Sequence, residues 1–175
     1  HKDMFLEMIT KGIALPIYQI PTYQYSIYIT TEKDVNIPED WEQVYLYKDW
    51  FITIGTDDKL CFSSFEFFEE HRDLIIKSQC VFTGEVFDIN DNPHSFYHSD
   101  EIQMPKGNYR FDVYGLKRKH PYSEIDRENG NKNYAYLFAF RKVDNDSNEN
   151  LERCDNDTHI FSIEEYWEEV HNNER

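Results

Sequence analysis

Seven residues, Tyr134-Ala-Tyr-Leu-Phe-Ala-Phe140, constrain the fold more than any other stretch of the chain. Read as a strand, they place aromatic rings on one face and Ala135, Leu137 and Ala139 on the other, because successive side chains point to opposite sides. A strand that is apolar on both faces must be covered on both, so it belongs in the interior of a sheet. Upstream, Tyr109, Phe111 and Val113 alternate with Arg110, Asp112 and Tyr114, the period-two pattern of a strand with one face in a core. These two stretches predict a core containing Phe111, Val113, Tyr136 or Leu137, and Phe138.

Other segments extend the pattern. Tyr23 to Ile29, Gln43 to Tyr47, Trp50 to Ile54, Lys59 to Ser63, Gln79 to Phe87 and Tyr97 to Met104 all read as strands. Lys48 and Asp49 separate the second and third of these. Gly55-Thr-Asp-Asp58 has turn chemistry, so Lys59–Ser63 is expected to pair back on Trp50–Ile54 as a hairpin. Gly84 is a candidate bulge, residues 89–94 a loop, and Tyr97–Met104 a short edge strand. Pro105-Lys-Gly-Asn108 is a tight turn, with Pro presetting one corner and Gly allowing a positive φ. Residues 117–133 read as a charged loop. An aromatic share of 17%, with 13 Tyr and 13 Phe, suits pleated surfaces better than helices.

Two helices are expected. Ser63-Ser-Phe-Glu66 opens one that runs to Ile75 or Ile76, and Ser162 with Glu165 caps a second carrying Ile163, Tyr166, Trp167 and Val170. The predicted fold class is therefore mostly β, an antiparallel β-sandwich with one or two peripheral α-helices. The 175 residues form a single domain, with an acidic C-terminal loop and helix over residues 144–175.

The charge is strongly acidic, −16 at neutral pH, and uneven. Residues 105–142 carry 9 bases against 4 acids, whereas residues 143–175 carry 11 acids against 2 bases. Phosphates would be repelled by such a balance, so a direct nucleic-acid partner is not expected. A basic protein partner is, because opposite charge steers association. No apolar stretch approaches the about 20 residues of a membrane helix, and residues 1–15 lack the pattern of a signal peptide. Cys61, Cys80 and Cys154 show neither a disulfide framework nor zinc spacing, and predict three reduced thiols in a cytoplasmic protein. The glycosylation patterns Asn145-Asp-Ser and Asn156-Asp-Thr are common by chance in Asn-rich loops.

Signals for catalysis are missing. No nucleophile elbow, phosphate loop or dinucleotide glycine pattern occurs. His94 and His98 are four apart but flank Pro93 without a third ligand. Asp144-x-Asp146-x-Asn148 opens like a calcium loop, yet its sixth position is Glu149, where the bend needs Gly, and its twelfth is Asp155. Neither a cofactor, a metal nor an enzymatic activity is expected. The candidate partner-binding residues are instead Asp155, Asp157, Glu164, Glu165 and Glu168, with Tyr166 and Trp167 shared between that face and the core. Acidic groups with aromatics among them suit the basic groove of a nuclease.

The Pro105-Lys-Gly-Asn-Tyr-Arg-Phe111 turn and strand resembles the competence protein J family, small inhibitors of a DNA-entry nuclease. The resemblance extends in order over about residues 20–142, through the strands named above to Tyr134–Phe140. The chain departs from it in a longer 117–133 loop and in the acidic tail with its helix. The resemblance implies a β-sandwich binding protein, an inhibitor or the immunity partner of a nuclease toxin, and carries no catalytic residue across. Two other readings remain open on the sequence: an enzyme on the same scaffold using carboxylates or histidines, and a structural protein that self-associates through aromatic edges.

Overall fold

The computed structural model describes residues 8–9, 11–15, 17, 25–63, 70–71, 73–74, 77, 82–87, 90–123, 132–144 and 159–172. Within these, the side chains of residues 82, 86, 94–98 and 172 are not described. Seven strands and one helix follow in order: β1 (Tyr25–Thr30), β2 (Trp41–Ile54), β3 (Lys59–Ser63), β4 (Phe82–Phe87), β5 (Pro93–Gln103), β6 (Gly107–Arg118), β7 (Tyr134–Val143) and α1 (Ile163–Asn172). The fold is mostly β, as expected, with two sheets that do not close into a barrel and, among the described residues, α1 as a peripheral helix. Of the residues expected to form the earlier helix, Glu70, His71, Asp73 and Leu74 are described and are helical; the rest of 64–76 lies outside the described residues.

The chain divides into two compact units, one of residues 1–53 and 108–175, the other of residues 54–107. The first unit is built on a four-stranded sheet in the order β1-β7-β6-β2. β7 lies between β1 and β6, and Ala135 through Phe140 are all buried, as a strand apolar on both faces requires. β6 runs antiparallel to it, setting Phe111 against Phe140 and Val113 against Phe138. The Phe111 ring stacks on Phe140 at 4.9 Å between centroids. Phe111, Val113, Tyr136, Leu137 and Phe138 are all in the core. β1 pairs with β7 in parallel, which the antiparallel expectation did not include. On the opposite face, Trp41, Leu116, Ala135, Leu137 and Ala139 form a second cluster, covered by Tyr28, Val35, Ile37 and Tyr114.

β2 is one continuous strand rather than two, and Asp49 explains why. Its φ of 63° introduces a left-handed step inside the strand, which Asp tolerates better than most residues. The alternation shifts there. Tyr47 and Trp50, three apart, both reach the Phe161 ring, at 5.4 and 5.8 Å. Side chains hold the step in place: the Asp49 N–H donates to Asp112 Oδ1 at 2.9 Å, Arg110 donates to the Asp49 carbonyl at 2.8 Å, and Arg141 bridges Asp49 and Asp112.

The second unit is built on a three-stranded antiparallel sheet, β3-β5-β4. Three expectations change here. β3 does not fold back on β2 but pairs with β5, Leu60 opposite Ile102. β5 is not a short edge but an 11-residue central strand starting at Pro93, where a missing N–H is tolerated. The irregularity in β4 falls between Phe82 and Thr83, not at Gly84. The turn before β6 has Gly107 at φ 152°, the positive φ for which Gly was expected. The Asp58 carbonyl accepts from the Met104 N–H, and its carboxylate from the Lys106 N–H, so the two loop ends of this unit are tied together.

Candidate acidic binding face

The helix α1 is fastened at its N-terminal end by residues far away in sequence. Phe161, Ser162 and Ile163 are buried. The Tyr45 hydroxyl donates to the Phe161 carbonyl at 2.7 Å, and the Tyr136 hydroxyl donates to the same oxygen at 2.9 Å. One residue earlier, the Tyr47 hydroxyl donates to the Ile160 carbonyl at 2.9 Å and accepts the Ile160 N–H at 3.1 Å. Burial, reinforced by the Tyr136 and Tyr47 hydroxyls nearby, holds the Tyr45 hydroxyl far above its ordinary range, and burial does the same to Tyr136. Burial also pushes Tyr47 up, to about 12, against the lowering effect of its bond to Ile160. All three therefore act as neutral donors. Tyr45 reaches this position because residue 115 is glycine: a Cβ there would stand 2.4 Å from Cε1 and Cζ of the Tyr45 ring.

The helix starts as its capping box predicts. Ser162 Oγ accepts the Glu165 N–H at 3.3 Å, and the Tyr166 N–H bonds to the Ser162 carbonyl at 3.1 Å. Glu164 and Glu165 occupy the first turn, where negative charge suits the helix dipole. Tyr166 turns inward, its ring 5.3 Å from Tyr45 and 6.5 Å from Tyr47. Trp167 is half-buried. The Lys117 ammonium from β6 sits 4.1 Å from its ring centroid, and the His171 ring stacks on it at 4.0 Å.

Of the expected binding residues, the structure brings Glu164, Glu165, Tyr166, Trp167 and Glu168 together on α1. Glu165 and Glu168 are exposed, Glu164 is half-exposed, and Glu169 adds a further exposed carboxylate. None of Glu165, Glu168 and Glu169 forms an ion pair with a cation among the described residues. Asp155 and Asp157 lie outside the described residues, as do Cys80, Cys154, the two glycosylation patterns and all of the calcium-like pattern but Asp144. Val170 is not part of the buried face: it is 39% exposed.

Sequence reasoning did not find Lys117, Tyr45, Tyr47 or Tyr136 as partners of this helix. One local signal was available for the stack: Trp167 and His171 are four apart, which on a helix makes them neighbours. Among the described residues, no group of three or more His, Cys, Asp or Glu is placed to hold a metal ion. No helix among them is long and apolar enough to cross a membrane. Cys61 is disulfide-bonded, which corrects the expectation of three reduced thiols. Its partner lies outside the described residues.

No family model matches the chain, and neither the curated proteins nor the solved structures contain a significant match to it. The resemblance to the competence protein J family therefore rests on the sequence pattern alone.

Proposed function

We propose that this chain is a binding protein that engages and blocks a basic protein partner, a nuclease toxin or a DNA-processing nuclease, through the outer face of α1. The observation that carries this reading is the state of the carboxylates. Glu165, Glu168 and Glu169 are exposed and without a cation among the described residues, on a helix whose start is clamped by three tyrosine hydroxyls. A clamped helix presents its charges in a fixed array, so little ordering entropy is lost when a partner docks. The overall charge of −16 draws a basic partner in and speeds encounter at low salt. We expect no catalysis from the chain itself.

The compartment in this reading follows the disulfide. Disulfides persist outside the cytoplasm and are rare within it. The cytoplasmic address that reduced cysteines suggested loses its support, and we place the chain in an oxidising compartment.

The test is a pull-down from the native host with two baits, the wild-type chain and Glu165→Lys/Glu168→Lys. We expect a basic nuclease that is held by the wild-type chain, released by salt and inhibited in a cleavage assay. The charge-reversed bait should fail to hold it while keeping its melting temperature. A nuclease retained equally by both baits would remove this helix face from the mechanism.

A further inference from the structure

Lys117 is the anomaly of the acidic face. The chain has 34 carboxylates to 18 lysines and arginines, yet the Lys117 ammonium pairs with none of them among the described residues. It rests on the ring of Trp167 instead, 4.1 Å from the centroid. Among the described residues, the other lysine and arginine side chains placed over aromatic rings lie farther off, from Arg118 at 4.6 Å from Trp41 to Lys142 at 5.9 Å from Tyr109. Trp167 is further held by His171, stacked at 4.0 Å, whose Nδ1 is 2.8 Å from the Trp167 carbonyl. Glu164 and Glu168 stand three residues before and one after Trp167 on the same helix.

Resting on our reading of α1 as the docking face, we propose that Trp167 is the cation-recognising subsite of that face, and that Lys117 is its built-in occupant, displaced when a lysine or arginine of the partner takes its place. Three features fit. A tryptophan face is the best aromatic acceptor for a cation, and neighbouring carboxylates strengthen the local attraction. The ring is half-buried, so a cation over it is partly desolvated. Lys117 is tethered to β6 only through its own flexible stem, and an ammonium on four methylenes leaves at low cost, whereas a planar guanidinium offers the ring a larger, less hydrated surface. The device selects partners that present an arginine or lysine at a fixed place, because only those repay the loss of the internal contact. Partners with diffuse positive charge meet the carboxylates but leave Lys117 where it is.

The test uses the full chain and hexa-arginine peptide as probe, with affinities from calorimetry at low salt. Lys117→Met keeps a side chain that packs on the indole but removes the competing cation. It should bind the peptide roughly two- to fivefold more tightly, the range of one exposed cation–π contact. Lys119→Met removes an equal charge from an exposed lysine two residues on, and measures the purely electrostatic gain. In a Trp167→Leu background, which has no π face, Lys117→Met should give no more than Lys119→Met does. Should Trp167→Leu disturb the helix by circular dichroism, Trp167→Phe serves, and the gain should shrink rather than vanish. Equal gains from Lys117→Met and Lys119→Met in the wild-type background would overturn the proposal, as would a gain that persists without the indole. The two readings separate cleanly. Loss of peptide binding in Glu165→Lys/Glu168→Lys with no special effect of Lys117→Met leaves the acidic face standing and removes this subsite. A Trp167-dependent gain with unaltered binding in Glu165→Lys/Glu168→Lys does the reverse.

Discussion

Gly115 is the residue on which the helix anchor turns. It lies in β6 opposite Tyr136, and the Tyr45 ring occupies the space its missing Cβ leaves. A methyl group there would stand 2.4 Å from two ring carbons, and the ring cannot swing away because its hydroxyl is bonded to the Phe161 carbonyl. Gly115→Ala should therefore destabilise the fold by about 1–3 kcal/mol, the usual cost of overpacking a filled core. Urea unfolding checks this, and an unchanged midpoint would mean the ring is free to move. Ser162 offers a gentler probe of the same anchor. Its hydroxyl is the acceptor for the Glu165 N–H, so Ser162→Ala should cost about 1 kcal/mol, the common value for a lost N-cap. The two substitutions act through different contacts of one strap and should not be strictly additive.

At the scale of elements, the strap over residues 159–163 is held by tyrosines that must stay protonated. Tyr47 is pushed up to about 12 by burial, and Tyr45 and Tyr136 further still. A folded-state pKa above the unfolded one means that the folded chain keeps a proton the unfolded chain has released. Stability is then complete below about pH 10, the ordinary tyrosine value, and falls as pH rises from there towards and through 12. Unfolding midpoints measured from neutral to alkaline pH should be level at first and then drop. Tyr47→Phe should make the drop shallower, and an identical slope in the variant would show that Tyr47 ionises freely in the fold. The elements themselves were legible to different degrees. β6 and β7 announce themselves because strict alternation and a two-faced apolar run have few other readings. α1 does so through its capping box. β2 reads as two strands because Asp49 breaks the period, and a left-handed residue inside a strand leaves no mark that distinguishes it from a turn. β5 hides behind Pro93 and a polar stretch, and β3 looks like a hairpin partner because sequence reading favours the nearest strand. For the site, the carboxylates and Trp167 were legible from helical spacing, while the tyrosines and Lys117 were not, since they arrive from strands 25 to more than 110 residues away.

The whole molecule combines an overall charge of −16 with a division into two units, and Cys61, which is disulfide-bonded, lies in the smaller of them. Cys61 lies in β3, which pairs with β5 inside the unit of residues 54–107. That sheet has three strands against four in the other unit, and an edge strand of five residues contributes few ladder bonds. A covalent link at such an edge limits the unfolded chain and is worth about 2–4 kcal/mol where its geometry is relaxed. Two consequences follow for a chain of three cysteines. Denatured without reductant, it should react with one equivalent of a thiol reagent, and after reduction with three. In the native state, reductant should speed amide exchange at Leu60, Cys61 and Phe62 while leaving Phe111, Val113 and Phe138 protected, because the first group flanks the bonded cysteine in a short edge strand and the second lies in the aromatic core of the other unit. Three reactive thiols before reduction would show that the bond does not form in the isolated protein. Exchange that quickens equally in both sheets would show that the two units open together, and that the link at Cys61 supports the whole chain rather than its smaller part.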